Sequence, residues 1–284
     1  EVRKQDEDGN WEQLSYSSTG YDEAGRVTNE STEDNLGNST SSNYTYDKDG
    51  ELVRKQSSVR KTDLKTEAYT EESITTDGAG NILERGEIKY TPKYDTVGAF
   101  LEGTEVEVTK YYDKAGKLVK TDYYTRVYDE DWQTLYRKTA VSNEEDVLTS
   151  YQEYRKNRDA AGFDAGYERS GALYDSQSGD KLASITITSD IELNEMHNIK
   201  SINKTSVNQD GTTVAAYTLV HGEDGKTTET YRYFNEQTGK LRQSVDTLSG
   251  MDDKGQWYAD STTRNAAGVV TESLATRDKE FGFT

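Results

Sequence analysis

A turn motif that returns nine times is the feature that most limits what this chain can fold into. Each copy has an aromatic or small residue, then Asp or Asn, two or three polar or small residues, Gly, one further residue, and Val, Leu or Ile. It stands as Tyr21-Asp22-Glu23-Ala24-Gly25-Arg26-Val27 and Tyr46-Asp47-Lys48-Asp49-Gly50-Glu51-Leu52. It returns as Thr76-Asp77-Gly78-Ala79-Gly80-Asn81-Ile82 and Tyr112-Asp113-Lys114-Ala115-Gly116-Lys117-Leu118. Ser142 to Val147 lacks the glycine, and Tyr174 to Gly179 and Phe234 to Gly239 carry one extra residue. Val207 to Gly211 and Arg264 to Gly268 complete the series. A period of roughly 30 residues is that of repeat architectures, whose units bury apolar surface only against their neighbours.

The motif has the chemistry of a tight hairpin turn. A corner Asp or Asn accepts hydrogen bonds from backbone N–H groups a few residues on. Glycine follows where the chain needs a positive φ, as in a bulged hairpin loop. A second set of turns lies between the copies, at Asp6 to Trp11, Asp159 to Phe163, Asp252 to Trp257 and, without glycine, Asp129 to Trp132. Asn35 to Asn38, Tyr94 to Gly98 and Glu223 to Gly225 fill other intervals. Turn signals then fall about every 15 residues, leaving strands of roughly nine. The intervening segments alternate as strands do: Val106, Val108 and Lys110 against Glu105, Glu107 and Thr109, and Ile185 and Ile187 against Thr186 and Thr188. Only Ile191 to His197 reads as a short turn of helix. The predicted fold is all-β: an antiparallel β-meander of about nine hairpin repeats, in one array over residues 1–284, with about 18 strands and a sheet that is extended or coiled.

Composition bears on whether such a chain folds at all. Leu, Ile, Val and Phe supply 46 of 284 residues, and the net charge is -19, a combination that ordinarily signals disorder. A single proline and 21 tyrosines argue the other way. Tyr buries a flat ring while keeping a wet hydroxyl, which suits a thin sheet with little dry core. The acidity makes nucleic acid a poor partner. No apolar run approaches 18 residues, so no membrane insertion is expected. Without cysteine there is neither a disulfide nor a thiolate metal site. Starting at Glu1 without Met, the sequence reads as a processed product or a piece of a longer protein.

Candidate chemistry is sparse. His197 and His221 stand in no metal-ligand spacing and read as loop and turn residues. With 53 acids, paired carboxylates are everywhere, and repeats make most of them solvated turn charges. Asp6, Asp8 and Gly9, or Asp47, Asp49 and Gly50, mimic part of an EF-hand loop. Lys4 and Thr45 occupy the place of its first acid, so the pattern fails and only loose calcium binding is left open. The site expectation is therefore no catalytic, cofactor or metal residues, with 130–163, where the repeat is most degenerate, as the first place for a pocket.

The copies Tyr21 to Val27, Tyr46 to Leu52 and Tyr112 to Leu118 resemble the YD repeat of Rhs and teneurin-type proteins, Tyr-Asp-x-x-Gly-x-Leu. That resemblance implies a spiralling β-sheet shell on secreted or cell-surface proteins, often around a toxin domain. Tyr231-Arg232-Tyr233-Phe234-Asn235 is more weakly similar to aromatic cell-wall-binding repeats. The expected function is a non-enzymatic structural or spacer segment of an extracellular or cell-surface protein, self-assembling through edge strands. Its partners are neighbouring domains of the parent protein or other copies of itself. The alternative is a carbohydrate- or partner-binding module using exposed aromatic rows, with glycan as the ligand. The edges are expected at Glu1 to Gln5 and at Lys279 to Thr284, where Phe281 and Phe283 share a face.

Overall fold

The structure is a computed structural model describing residues 2–5 and 11–278. These hold nineteen β-strands and no helix. The first ten are β1 (Val2–Gln5), β2 (Trp11–Tyr21), β3 (Val27–Asp34), β4 (Ser39–Tyr46), β5 (Leu52–Asp63), β6 (Ala68–Asp77), β7 (Ile82–Tyr94), β8 (Phe100–Tyr112), β9 (Leu118–Asp129) and β10 (Thr134–Asn143). There follow β11 (Leu148–Arg158), β12 (Asp164–Tyr174), β13 (Lys181–Leu193), β14 (Ile199–Asn208), β15 (Thr213–His221), β16 (Thr227–Phe234), β17 (Leu241–Met251), β18 (Trp257–Asn265) and β19 (Val270–Asp278). The chain forms two compact units. One is Glu1–Tyr151 with the loop Asp175–Gly179; the other is Gln152–Tyr174 with Asp180–Thr284.

In the first unit β1 to β10 each pair antiparallel with the next strand. In the second, β12 to β19 do the same. This is the all-β meander of hairpins that the alternation predicts. The nine motif copies are the nine turns that lead from an even-numbered strand to the next.

Asp113 shows how the motif closes a hairpin. Its Oδ1 accepts the N–H groups of Ala115 at 2.8 Å and Lys117 at 2.9 Å. Its own N–H donates to Lys117 O, and Gly116 N–H donates back to Asp113 O, both at 2.9 Å. Gly116 sits at φ 78°, which costs a side-chain-bearing residue roughly 1–2 kcal/mol. The carboxylate thus satisfies two loop amides that the ladder cannot reach. Thirteen described turns repeat the arrangement, with Oδ1 of an Asp or Asn accepting the amides two and four residues on. The motif copies among them have corners at Asp22, Asp47, Asp77, Asp113, Asn143, Asn208 and Asn265. The others have corners at Asp34, Asp95, Asp129, Asp159, Asn194 and Asp252. The tyrosine of the motif also has a task. Tyr46 O–H donates to Val27 O at 2.9 Å, and the Arg26 guanidinium lies 4.8 Å over its ring, so one hairpin is fastened to the one before.

Little of the sheet is dry. Tyr128 is the only buried apolar side chain among the described residues, beside buried Thr75, Thr121, Ser142 and Ser189. Part of the lateral cohesion comes from hydroxyls. Ser18, Ser31, Ser41, Ser58 and Ser73 lie in register on successive strands. Ser18 and Ser31 bond at 2.7 Å, and Ser41 and Ser58 at 2.9 Å.

Two sequence expectations are corrected. Ile191 to His197 is not helical: β13 runs through Leu193, and Asn194 is the corner of a five-residue turn. Asp63 to Glu67 is a turn that the sequence reading missed, closed by Glu67 N–H donating to Asp63 O at 2.7 Å. Of the expected edges, Val2–Gln5 is a strand paired with β2. The turn at Asp6 and the strand at Lys279 to Thr284 lie outside the described residues. The last described strand is β19, paired with β18.

Candidate functional site: an aromatic platform on β6 to β10

The site begins with a glycine. Gly103 on β8 faces Tyr128 on β9 in register, and the phenol ring of Tyr128 occupies the space that a Cβ would take, with ring atoms 2.7–2.8 Å from that position. Laid over a bare backbone, Tyr128 is only 4% exposed. Its burial contributes about 1.5–3 kcal/mol. Trp132 stacks on it at 4.7 Å and 17°, and Tyr90 at 6.3 Å and 7°. Phe100 lies 6.3 Å away, and the Arg126 guanidinium sits 5.1 Å over the ring. The row continues through Tyr69, 5.0 Å from Tyr90 and capped by Arg60 at 4.2 Å, and through Tyr94, edge-on to Phe100 at 5.9 Å. Burial, then the hydrogen bond with Tyr90, pushes the Tyr128 hydroxyl well above its usual range. Trp132 is 65% exposed, so one face of its indole covers Tyr128 and the ring remains open to solvent.

Trp132 also breaks the turn rule, since it holds φ 60° where glycine usually stands. Glu67 (φ 57°), Asp146 (φ 62°) and His197 (φ 60°) are the other side-chain-bearing residues of this kind among the described positions. Each makes a side-chain contact that glycine could not. Glu67 accepts the hydroxyl of Tyr94, which lifts that phenol to about 12. Asp146 accepts Tyr123 O–H at 3.0 Å and Ser142 Oγ–H at 3.1 Å. His197 stacks on Phe163 at 4.0 Å and 20°. A strain of roughly 1–3 kcal/mol is kept where the residue ties turns and strands together.

The second unit carries a comparable row. Tyr154 lies 5.7 Å from Tyr167, and Tyr217 lies 4.5 Å from Tyr231. Lys204 Nζ sits 5.9 Å over Tyr167 and 5.3 Å over Tyr217. Burial, then the hydrogen bond to Glu229, raises the Tyr217 hydroxyl.

The remaining sequence candidates do not converge. His197 is held in its turn by Phe163, and His221 ends β15 with Nδ1 2.9 Å from Thr227 Oγ1. Within 130–163 the chain passes through the Trp132 turn, β10, β11 and the turns at Asn143 and Asp159. Among the described residues no three His, Asp or Glu side chains come together to hold a metal. The grooves are open to solvent. One of about 510 Å³ in the first unit is lined by Thr32, Thr40 and Arg60, and one of about 750 Å³ in the second by Met196, Ile199 and His221.

No family model matches the chain, and no curated protein matches it. Among solved structures, the crystal structure of TcdB2-TccC3-TEV aligns with 93% of this chain at 8% identity and a TM-score of 0.14. The alignment covers 22% of that chain, so this sequence spans about a fifth of its length.

Proposed function

We propose that the chain is a non-catalytic structural repeat segment of a longer secreted or cell-surface protein, related to the YD-repeat class that its Tyr-Asp-x-x-Gly turns resemble. The observation that carries this reading is the use made of the residues that depart from the repeat. Glu67, Asp146 and His197 are spent on contacts between turns and strands. An enzyme or a deep-pocket binder would instead spend its departures on lining a concave site. As a spacer, each unit holds a fixed length along its run of strands. The chain lacks cysteine, so Glu23→Cys and Glu145→Cys, both at exposed turn positions of the first unit, allow clean labelling with a dye pair. Single-molecule energy transfer is expected to give one narrow population from low salt to 1 M salt. A broad, salt-dependent distribution would sink the spacer reading. A reproducible turnover on glycan, peptide or phosphate-ester panels, abolished by one carboxylate substitution, would overturn the non-catalytic assignment.

One observation favours a second reading, that of a glycan-binding surface. The exposed Trp132 ring, backed by Tyr128 and flanked by Arg126, is a flat platform of the kind on which a pyranose ring stacks. A glycan array separates the two. Binding that disappears with Trp132→Ala supports the platform, and no binding leaves the structural reading alone.

A further inference from the structure

The two six-residue motif loops show how one hairpin receives the next. Asn143 caps its own turn through Oδ1 and donates from Nδ2 to Ser176 O, at 2.7 Å, in the loop 175–180. Asn208 does the same toward Glu236 O, at 3.0 Å, in the loop that begins at Asn235. In both cases the acceptor is the carbonyl immediately after the corner of the longer loop. In both, the residue four after the donor corner also meets the incoming loop. Val147 Cγ1 and Thr212 Cγ2 each lie 3.4 Å from where a Cβ would stand on Gly179 and Gly239. An Asp corner has no such donor. Asn194 caps a five-residue turn and stands before another five-residue turn, and its Nδ2 takes no partner among the described residues, so the longer loop is part of the match.

Asn265 repeats the donor half of this arrangement with nothing opposite it among the described residues. Its Oδ1 caps Ala267 and Val269 N–H at 3.0 and 3.1 Å, while its Nδ2 makes no bond among the described residues. Val269, which corresponds to Val147 and Thr212, is 59% exposed, and Leu274 on β19 is 62% exposed. Every residue of β19 from Val270 to Arg277 is exposed, in a ladder without proline whose one register shift lies at the turn end, between Thr263 and Arg264. Such an edge is a template for a further strand.

We propose that the outer edge of β19, with Asn265 and Val269 at its turn, is the docking site for another β-hairpin of this repeat type, closed by a six-residue loop and unpaired on its leading side. This rests on the reading of the chain as a structural repeat. A second copy of the chain does not fit the site from its interior, because its interior hairpins are already paired on both sides.

The test uses the full chain and a labelled 25-residue peptide, Thr227 to Met251, which carries β16, a six-residue loop and β17. Fluorescence anisotropy is expected to give saturable binding. Asn265→Asp keeps the corner oxygen, as Asp113 does, and removes the donor; it is expected to weaken binding roughly five- to tenfold, the worth of one hydrogen bond. Deleting Glu236 from the peptide is expected to weaken it as much. Absence of saturable binding, or binding indifferent to both changes, overturns the proposal. Concentration-dependent sedimentation of the chain alone that Asn265→Asp abolishes overturns it in favour of a second copy. The dye-pair experiment reports on the spacer reading separately, so the two can fail independently.

Discussion

Gly103→Ala is a substitution of a single methyl group whose cost is set by one ring. A Cβ at Gly103 falls 2.7–2.8 Å from the Tyr128 ring, well inside contact distance, so the ring must move. Overpacking of this kind costs about 1–3 kcal/mol. Displacing Tyr128 also loosens its stacking on Trp132 and Tyr90, at about 0.5–1.5 kcal/mol per pair. The expected loss is about 2–4 kcal/mol, partly offset by the better strand propensity of Ala over Gly. Urea denaturation read by tryptophan fluorescence and by far-ultraviolet dichroism supplies the number. The steric origin is isolated by a double-mutant cycle with Tyr128→Ala. In that background Gly103→Ala is expected to be neutral or slightly stabilising, giving an interaction term of at least about 2 kcal/mol. An equal cost with and without Tyr128 would refute the reasoning, because the methyl would then be clashing with something other than the ring.

Gly116 poses the opposite problem: it has no neighbour within 4 Å of a Cβ but sits at φ 78°, so Gly116→Val is expected to cost about 1 kcal/mol or more from backbone strain alone. Gly50 sits at φ 92°, and a Cβ there would also meet Arg26 Nη1 at 2.9 Å, so Gly50→Val is expected to cost at least as much; melting temperatures equal to wild type in both would contradict the left-handed assignment. Asp113→Ala, which strips two loop amides of their acceptor, is expected to lower the melting temperature by several degrees, whereas Asp113→Asn keeps the acceptor and leaves it nearly unchanged. The corner carboxyls of Asp22 (chiefly the Arg26 N–H), Asp34 (the Asn38 side chain), Asp77 (the Asn81 side chain) and Asp252 (the Gln256 N–H) are all held below their ordinary value of 3.8. A folded value below the unfolded one adds stability that is complete above the unfolded value and disappears as pH falls through the folded one. The urea midpoint should therefore begin to fall near pH 4, and Asn at these four corners should flatten that fall.

The hairpin corners were legible in the sequence because each requirement of the turn has its own residue type: Asp or Asn for the amides, glycine for positive φ. The turns at Asp63 and Asn194 were not, because Glu67 and His197 stand where glycine was sought. What holds them there is remote in sequence, Tyr94 being 27 residues from Glu67 and Phe163 lying a hairpin away from His197. Spacing carried a usable signal, since the interval from Asp34 to Asp95 is twice the repeat and calls for a corner between them. The aromatic platform was visible only as an abundance of tyrosine. Which rings meet depends on register, and the register that lays Tyr128 over Gly103 follows from β8–β9 pairing that no local pattern specifies.

Amide hydrogen exchange resolved by residue tests the hairpin meander most directly. For each five-residue turn, the amides two, three and four residues after the corner are expected to be protected, along with the strands between, while the outward amides of β19 exchange freely. Rapid exchange at the corner-bonded amides of Asp47, Asp113, Asn143 and Asp252, or protection without the period of roughly 30 residues that marks the repeat, would contradict the account.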